Sequence, residues 1–412
     1  MRGNCRFNGN FFFTSCWRYG KDTLLLLKRN RGMKIVYVYD AIARIGGAER
    51  ILIDKMNYLA EIYGYEVYFI TSAQGNHPFS FPLSDKVKHI DLNARFHLQY
   101  QYQYPKRLWV KWKLDRDFKR KLKKQITSID PEIIIGTTYY KADVISCLPC
   151  KAKKIIESHC VKTYTGLNDG VKRNWFIQFI YNYLLRQSYH IIEKRSDAIV
   201  SLTHKDSREW HKNETQKFIL PNSIKEMPAF GSTCTEKRVI SAGRLIYEKG
   251  FDRLINAWSK VHEKHPDWKL DIYGEGKEKE NLLQLIKLLK LEENIILHPF
   301  TKDIFQEYIH SSIYVLPSNY EGFGLVLIEA MSCGLPCVSF DCPYGPAEII
   351  QDKEDGLLVE NNNINLLAES INYLIEHTDL RQAYGKKARE NARNFLIDNV
   401  MPQWNDLFNK IG

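Results

Sequence analysis

From Met33 onward, short apolar runs alternate with longer segments whose apolar residues recur at helical spacing. "KIVYVYD" (34–40) is a β-branched and aromatic run of strand length, "AIARIGGAER" (41–50) is a glycine-bearing turn, and "RILIDKMNYLAEIYG" (50–64) predicts a helix closed by Gly64. "YEVYFITS", "PEIIIGTT", "KKIIESH" and "DAIVSLT" are further β-rich runs separated by helical stretches. Uninterrupted apolar strands joined by helices are the signature of a parallel sheet covered on both faces. "FILPNSI" ends this half, and the rhythm then restarts with strands "RVISAGRL", "WKLDIYG", "NIILHPF", "IYVLPS" and "PCVSFD", each followed or preceded by a helical pattern. The pattern predicts an α/β protein of two Rossmann-like doubly wound domains, 33–222 and 223–395, facing each other across a cleft. The stretch from about 363 to 410 is largely helical with a break near Pro402, and a terminal helix over 396–412 is expected to cross back and complete the first domain. A length of 412 residues agrees with two hydrophobic cores rather than one.

Charge changes this picture because it is unevenly divided. Residues 33–222 carry 31 basic and 19 acidic side chains, net +12, whereas 223–412 carry 21 and 28, net −7. A basic first half suits a polyanionic partner or an anionic surface. Within it, "QYQYPKRLWVKWKLDRDFKRKLKKQ" (101–125) holds ten basic residues against Asp115 and Asp117, interleaved with aromatics. Aromatics flanked by cations suit the boundary between lipid headgroups and acyl chains, so Lys106, Arg107, Trp109, Lys111, Trp112 and Lys113 are membrane-facing candidates. The bland alternative is a solvated basic helix packing its aromatics on its own domain. A nucleic-acid partner is disfavoured by the acidic second half and the absence of a recognisable module.

Nine scattered cysteines do not resemble a disulfide scaffold and suit a reducing compartment. "CLPC" (Cys147, Cys150) has redox spacing but lacks a second half for zinc, and Cys333, Cys337 and Cys342 fall in apolar sequence where buried thiols are ordinary. No run reaches the ~20 apolar residues of a spanning helix. Residues 1–32, with seven basic residues and one acidic, lack the continuous core of a signal peptide and are expected to be either a mis-called upstream start or a basic extension.

In open parallel sheets ligands bind beyond the carboxyl ends of strands, so motifs there carry the chemistry. Gly46 and Gly47 follow the first strand, where glycine permits positive φ and a close ligand approach at a helix N-terminus. The spacing is not GxGxxG, which argues against a dinucleotide. In "SAGRLIYEKGFDRLINA", Gly243 and Arg244 end a strand and Lys249 precedes a helix, a planar fork and a point charge suited to a diphosphate. In "EGFGLVLIEAMSCG", Glu321 lies in a loop, and Glu329 lies five residues into a helix starting near Gly324, ~7.5 Å along its axis. Such spacing also accommodates a hydrolytic carboxylate pair. The unpaired amides between the two glutamates, around Phe323, Gly324, Leu325 and Val326, instead suit phosphate. A ligand with hydroxyls at both ends and a diphosphate between them is a sugar nucleotide.

Together "GGAER", "PNSI", "GRLIYEKGFDRLI", "YGEG" and the Glu321-to-Glu329 segment resemble the retaining glycosyltransferases of family 4, which have the GT-B fold, over essentially residues 33–412. The resemblance implies that Arg244 and Lys249 neutralise the donor diphosphate, Glu329 grips the ribose, Glu321 sits by the donor sugar, and amides from Phe323 to Val326 assist. His159, which on residues alone reads as a packed histidine, occupies the place of the family's histidine near the transferred sugar. "DCPYGPAEII" (341–350) is similar to a subset acting in bacterial polysaccharide and lipid-linked oligosaccharide assembly, often with UDP-sugars. The implied activity is transfer of a hexose or N-acetylhexosamine, with retention, to a glycan or polyprenyl-diphosphate-linked glycan at the cytoplasmic face of the inner membrane. No DxD-type pair stands at a suitable strand end, so no metal and no cofactor are expected. A GT-B epimerase or phosphorylase is the enzymatic alternative.

Overall fold

A computed structural model describes residues 32–43, 46–159, 162, 174–210 and 215–412. The expected N-terminal extension, apart from Gly32, lies outside the described residues. The chain separates into two compact units, one running to Gly136 and including Leu148–Lys153, the other comprising Thr137–Cys147 and Lys154–Gly412.

The first unit holds β1 (Lys34–Tyr39), α1 (Gly47–Glu61), β2 (Glu66–Thr71), β3 (Lys88–Asp91), α2 (Lys106–Ile129) and most of β4 (Ile133–Thr137). The second begins with α3 (Ala142–Ser146), β5 (Lys153–Ser158), α4 (Trp175–Arg195), β6 (Ala198–Ser201), α5 (His204–Glu209) and β7 (Gln216–Ile219). The strand order is β3-β2-β1-β4-β5-β6-β7, and β1 pairs in parallel with both β2 and β4. β1 and β4 are buried along almost their whole length, which is why both read as uninterrupted apolar runs. The pattern did not reveal β3, because "KHID" is a half-exposed edge strand with one apolar residue. β7, "QKFI", is the polar-leading edge at the other side.

A second parallel sheet follows in the order β10-β9-β8-β11-β12-β13. Its strands are β8 (Arg238–Ala242), β9 (Lys269–Tyr273), β10 (Ile295–His298), β11 (Ile313–Leu316), β12 (Cys337–Phe340) and β13 (Gly356–Val359). Between them run α6 (Phe251–Lys264), α7 (Lys279–Leu288), α8 (Ile304–Ile309) and α9 (Leu325–Ser332), and after them α10 (Ile364–Glu376), α11 (Thr378–Ala392) and α12 (Ile397–Ile411). Adjacent residues of β8 face opposite cores. Val239 packs with Trp258, Leu254 and Leu367, and Ile240 with Tyr314, Ile328 and Met331. The two sheets are the two Rossmann-like α/β layers the pattern predicted.

One expectation fails. α12 runs unbroken through Pro402, and the chain turns instead at Arg393–Leu396. Val400, Met401, Trp404, Leu407, Phe408 and Ile411 bury one continuous stripe. Burying several such side chains at ~2 kcal/mol each outweighs the ~3 kcal/mol an interior proline costs. Leu396 bridges to Ile224, and Lys410 lies 5.3 Å over the Phe218 ring of β7.

Candidate active site

In the second sheet the strand order reverses between β8 and β11. The loop after β8 holds Gly243, Arg244 and Lys249; the loop after β11 holds Glu321 and the start of α9. Both therefore lie at the topological switch point, where open α/β sheets bind ligands.

The two loops are locked together by backbone. The Asn319 amide donates to the Glu248 carbonyl at 2.9 Å, and Asn319 Nδ2 donates to the Tyr247 carbonyl at 3.0 Å. Gly250 has φ +64°, and a Cβ there would overlap the Pro317 carbonyl. Glycine is required on both counts. This approach carries Lys249 to Glu321, with Nζ 2.5 Å from Oε1. Ser318 Oγ donates to the same oxygen at 2.7 Å. Glu321 is only 8% exposed, so its charge is compensated by an ammonium and a hydroxyl rather than by water. Arg244 is exposed and makes no ion pair among the described residues.

Helix α9 starts from Gly324 at φ +101°, and no side chain caps it. Its amide end is left to a ligand or water. Gly345 lets the Tyr344–Gly345 segment press on Phe323 and Glu321, since a Cβ would overlap the Phe323 carbonyl and lie 2.9 Å from Glu321 Cβ. Tyr344, at φ +81°, bridges Glu321 and donates its hydroxyl to Glu209. Glu329 is buried in the second turn of α9.

His159 follows β5 and is buried, with its Nε2 2.7 Å from Glu157 Oε2. The Tyr139 ring stacks on it at 6.2 Å, and the Tyr139 hydroxyl donates to its carbonyl at 3.1 Å. That carbonyl lies 3.0 Å from where a Gly322 Cβ would stand, so His159 reaches the Glu321 loop through backbone that only glycine admits without adjustment.

Gly46 and Gly47 belong to the first unit. Gly46 is extended (φ −156°), so positive φ is not why glycine stands there. A Cβ there would meet only the folded-back carboxylate end of Glu49, a flexible side chain that can move aside and that also accepts from the Tyr39 hydroxyl at 3.2 Å. In α2, Phe118, Leu122, Ile126 and Ile129 are buried while Leu108, Trp109 and Trp112 stand exposed. The purely packed reading of its aromatics thus holds for Phe118 and fails for both tryptophans. Lys113 lies 5.5 Å over Trp109, Arg107 4.4 Å over Tyr100, and Lys106 4.5 Å over Tyr102.

Sequence reasoning missed Ser318, Glu157, Tyr139 and Tyr344. Glu157 had a signal, because residues two apart in a strand share a face. Tyr139 and Tyr344 had none, being brought in by tertiary folding. At the end of β10, His298 stacks on Tyr273 of β9 at 4.3 Å and meets Asp271 of β9 at 2.6 Å, so its side chain is committed to the neighbouring strand. Burial pushes the Cys333 thiol up to about 12 and also raises those of Cys337 and Cys342, which makes them inert. Among the described residues no three His, Cys, Asp or Glu side chains gather as metal ligands, and no helix is long and apolar enough to cross a membrane.

Residues 223–391 match the family described as glycosyl transferases group 1. An uncharacterized glycosyltransferase of Haemophilus influenzae is 31% identical over 375 residues, covering 90% of this chain and 98% of that protein. The amylovoran biosynthesis glycosyltransferase AmsD of Erwinia amylovora is 39% identical over 174 residues, 42% of this chain and 48% of its own length. S. aureus TarM, solved in complex with UDP and α-GlcNAc-glycerol, aligns with a TM-score of 0.70 at 18% identity, over 92% of this chain and 100% of that one. At that identity the likeness speaks to the fold, which is GT-B. Alignment with a glycosyltransferase along nearly its full length, on two parallel α/β sheets, establishes that the chain belongs to the glycosyltransferases, its residues 223–391 matching group 1.

Proposed function

We propose that this glycosyltransferase is a family 4 enzyme that moves a hexose or N-acetylhexosamine from a UDP-sugar, with retention, onto a glycan or polyprenyl-diphosphate-linked glycan in cell-surface polysaccharide assembly. The observation that carries this reading is the paired Lys249 and Glu321 beside the uncapped end of α9, with Arg244 exposed on the adjoining loop. Departure of a diphosphate needs positive charge and fixed dipoles that act more strongly as charge develops. Arg244, Lys249 and the amides of Phe323 to Val326 supply them without a metal. Glu329 takes the ribose hydroxyls and Glu321 the donor sugar, with His159 near the transferred sugar. The leaving phosphate oxygen accepts the acceptor's proton on the front face, so no side chain serves as base. Gly243 lets the donor approach the β8 loop.

AmsD is named for amylovoran biosynthesis and TarM was solved with UDP, which supports the polysaccharide and donor assignments. The exposed tryptophans and cations of α2 support an anionic membrane as the place of work, at the cytoplasmic face of the inner membrane. The test is incubation with a panel of nucleotide sugars, with and without polyprenyl-diphosphate glycans, reading nucleoside diphosphate release. Acceptor-dependent release from a UDP-sugar is expected, and Arg244→Ala should lower turnover on the order of 10²-fold or more. Acceptor-independent interconversion of the sugar nucleotide, or near-wild-type turnover in both Arg244→Ala and Lys249→Ala, would refute the assignment.

A further inference from the structure

Helix α4 has a face that the proposed chemistry leaves unused. From Asn174 to Leu185 the sequence has no charged side chain. Within that stretch Trp175 is 81% exposed, Phe179 65%, Leu184 60%, Tyr183 56%, Ile177 51% and Ile180 42%. At about 100° per residue these six positions occupy one broad arc. The next residues on that arc, Arg186, Gln187 and His190, are exposed and polar, whereas Tyr189 and Ile192 on the opposite arc are buried. The exposed face therefore changes from apolar to polar along the helix rather than around it. Contiguous exposed apolar surface of this kind marks an interaction site.

We propose that this face seats the protein on an anionic lipid bilayer, with the apolar turns of α4 below the headgroups and the cations at their rim. Charge selects the occupant. Arg186, exposed, follows the apolar stretch, and no acidic residue occurs from Asn174 to Ile192. A second copy would set Arg186 and the same acid-free stretch against themselves, whereas anionic headgroups neutralise the cation. Length agrees as well. The ten residues Trp175–Leu184 span ~15 Å, half the ~30 Å hydrocarbon core, which suits a helix lying in the interface. Tryptophan and tyrosine favour that depth, where an apolar ring and a polar edge are both satisfied. The inference rests on the membrane part of the proposed function. It is independent of the donor chemistry.

The test uses the full chain with phosphatidylcholine vesicles, with and without phosphatidylglycerol, and reads the bound fraction by flotation at low and high salt. The parent should bind the anionic vesicles, keep part of that binding at high salt, and lose tryptophan fluorescence to brominated lipid. The Phe179→Gln/Ile180→Gln/Leu184→Gln variant keeps good helix formers at exposed positions. It should bind at least about tenfold more weakly, because interfacial affinity scales with the apolar area buried. Nucleoside diphosphate release with a water-soluble acceptor should be unchanged, which separates failure of this inference from failure of the catalytic assignment. Vesicle binding equal to the parent's, or no quenching of the parent, would overturn the inference. A variant that keeps vesicle binding but shows a halved mass by light scattering would assign the face to a second copy and overturn it as well.

Discussion

Replacing Lys249 by methionine keeps its length and removes its charge, and the structure separates the two consequences. With Nζ 2.5 Å from Glu321 Oε1, the pair attracts by on the order of 6–7 kcal/mol at an effective dielectric constant of about 20. Most of that offsets the cost of taking both groups out of water. The side chains are 19% and 9% exposed, so the lone Glu321 left by Lys249→Met would be largely desolvated with only the Ser318 hydroxyl as partner. A loss of about 2–4 kcal/mol in stability is expected, somewhat under the range for fully buried pairs because Lys249 retains some solvent. The double variant Lys249→Met/Glu321→Gln leaves no uncompensated charge and should recover most of that loss. If Lys249 also stabilises the departing diphosphate, the double variant recovers stability but not activity, and turnover stays ~10²-fold or more below the parent. Denaturant midpoints and turnover with a UDP-sugar, measured on parent, single and double variants, form the assay. Recovery of both stability and turnover in the double variant would refute a phosphate role for Lys249 and leave the pair purely structural.

Burial pushes the Asp206 carboxyl up from its ordinary 3.8 to about 6, and among the described residues neither of its oxygens has a hydrogen-bond partner. The folded state then holds the proton that the unfolded chain has released, so stability contributed at this site falls as pH rises from about 4 to about 6 and is level above; Asp206→Asn should be more stable than the parent by about 3 kcal/mol at pH 7, with no difference near pH 3, by denaturant titration at each pH. Gly250→Ala forces a side chain onto the Pro317 carbonyl at φ +64° and should lower the unfolding midpoint by the equivalent of about 2–4 kcal/mol while misplacing Lys249. Normal stability and turnover in that variant would show that the two loops can separate without cost.

The architecture was legible because both sheets are parallel and buried on both faces, so β1, β4, β8 and β11 stand out as apolar runs between helical segments. The strands that escaped, β3, β7 and β13, all lie on edges: β3 and β7 have polar, partly exposed sequence, whereas β13 is an apolar run of only four residues, "GLLV". Pro402 misled because local propensity was weighed without the buried stripe around it. In the site, the loops after β8 and β11 were recognisable from glycine and charge. Their union was not, because it depends on Asn319 docking on Tyr247 and Glu248 and on the clearance at Gly250. Glu157 near the end of β5 and His159 just past it are two residues apart and could have been paired from sequence, whereas Tyr344 reaches Glu321 from more than twenty residues away through a loop with positive φ.

The union of Lys249 with Glu321 also fixes how a donor must bind. Without ligand the ammonium is compensated by Glu321, so a buried cation is held in place at little cost. A diphosphate has to compete with that carboxylate for Lys249, and part of its attraction is spent displacing it. Glu321→Gln removes the competitor while keeping the shape of the loop and the Ser318 contact. UDP should then bind about three- to tenfold tighter, a gain near 1 kcal/mol, because the ammonium faces the phosphate alone. Turnover should fall, since the carboxylate proposed to sit beside the donor sugar is lost and the diphosphate is held more firmly in the ground state as well. Opposite signs in affinity and turnover distinguish this from simple damage to the site, which lowers both. Calorimetric titration of UDP alongside steady-state turnover measures the two, and weaker UDP binding in Glu321→Gln would show that the carboxylate orders the phosphate site rather than competing for it.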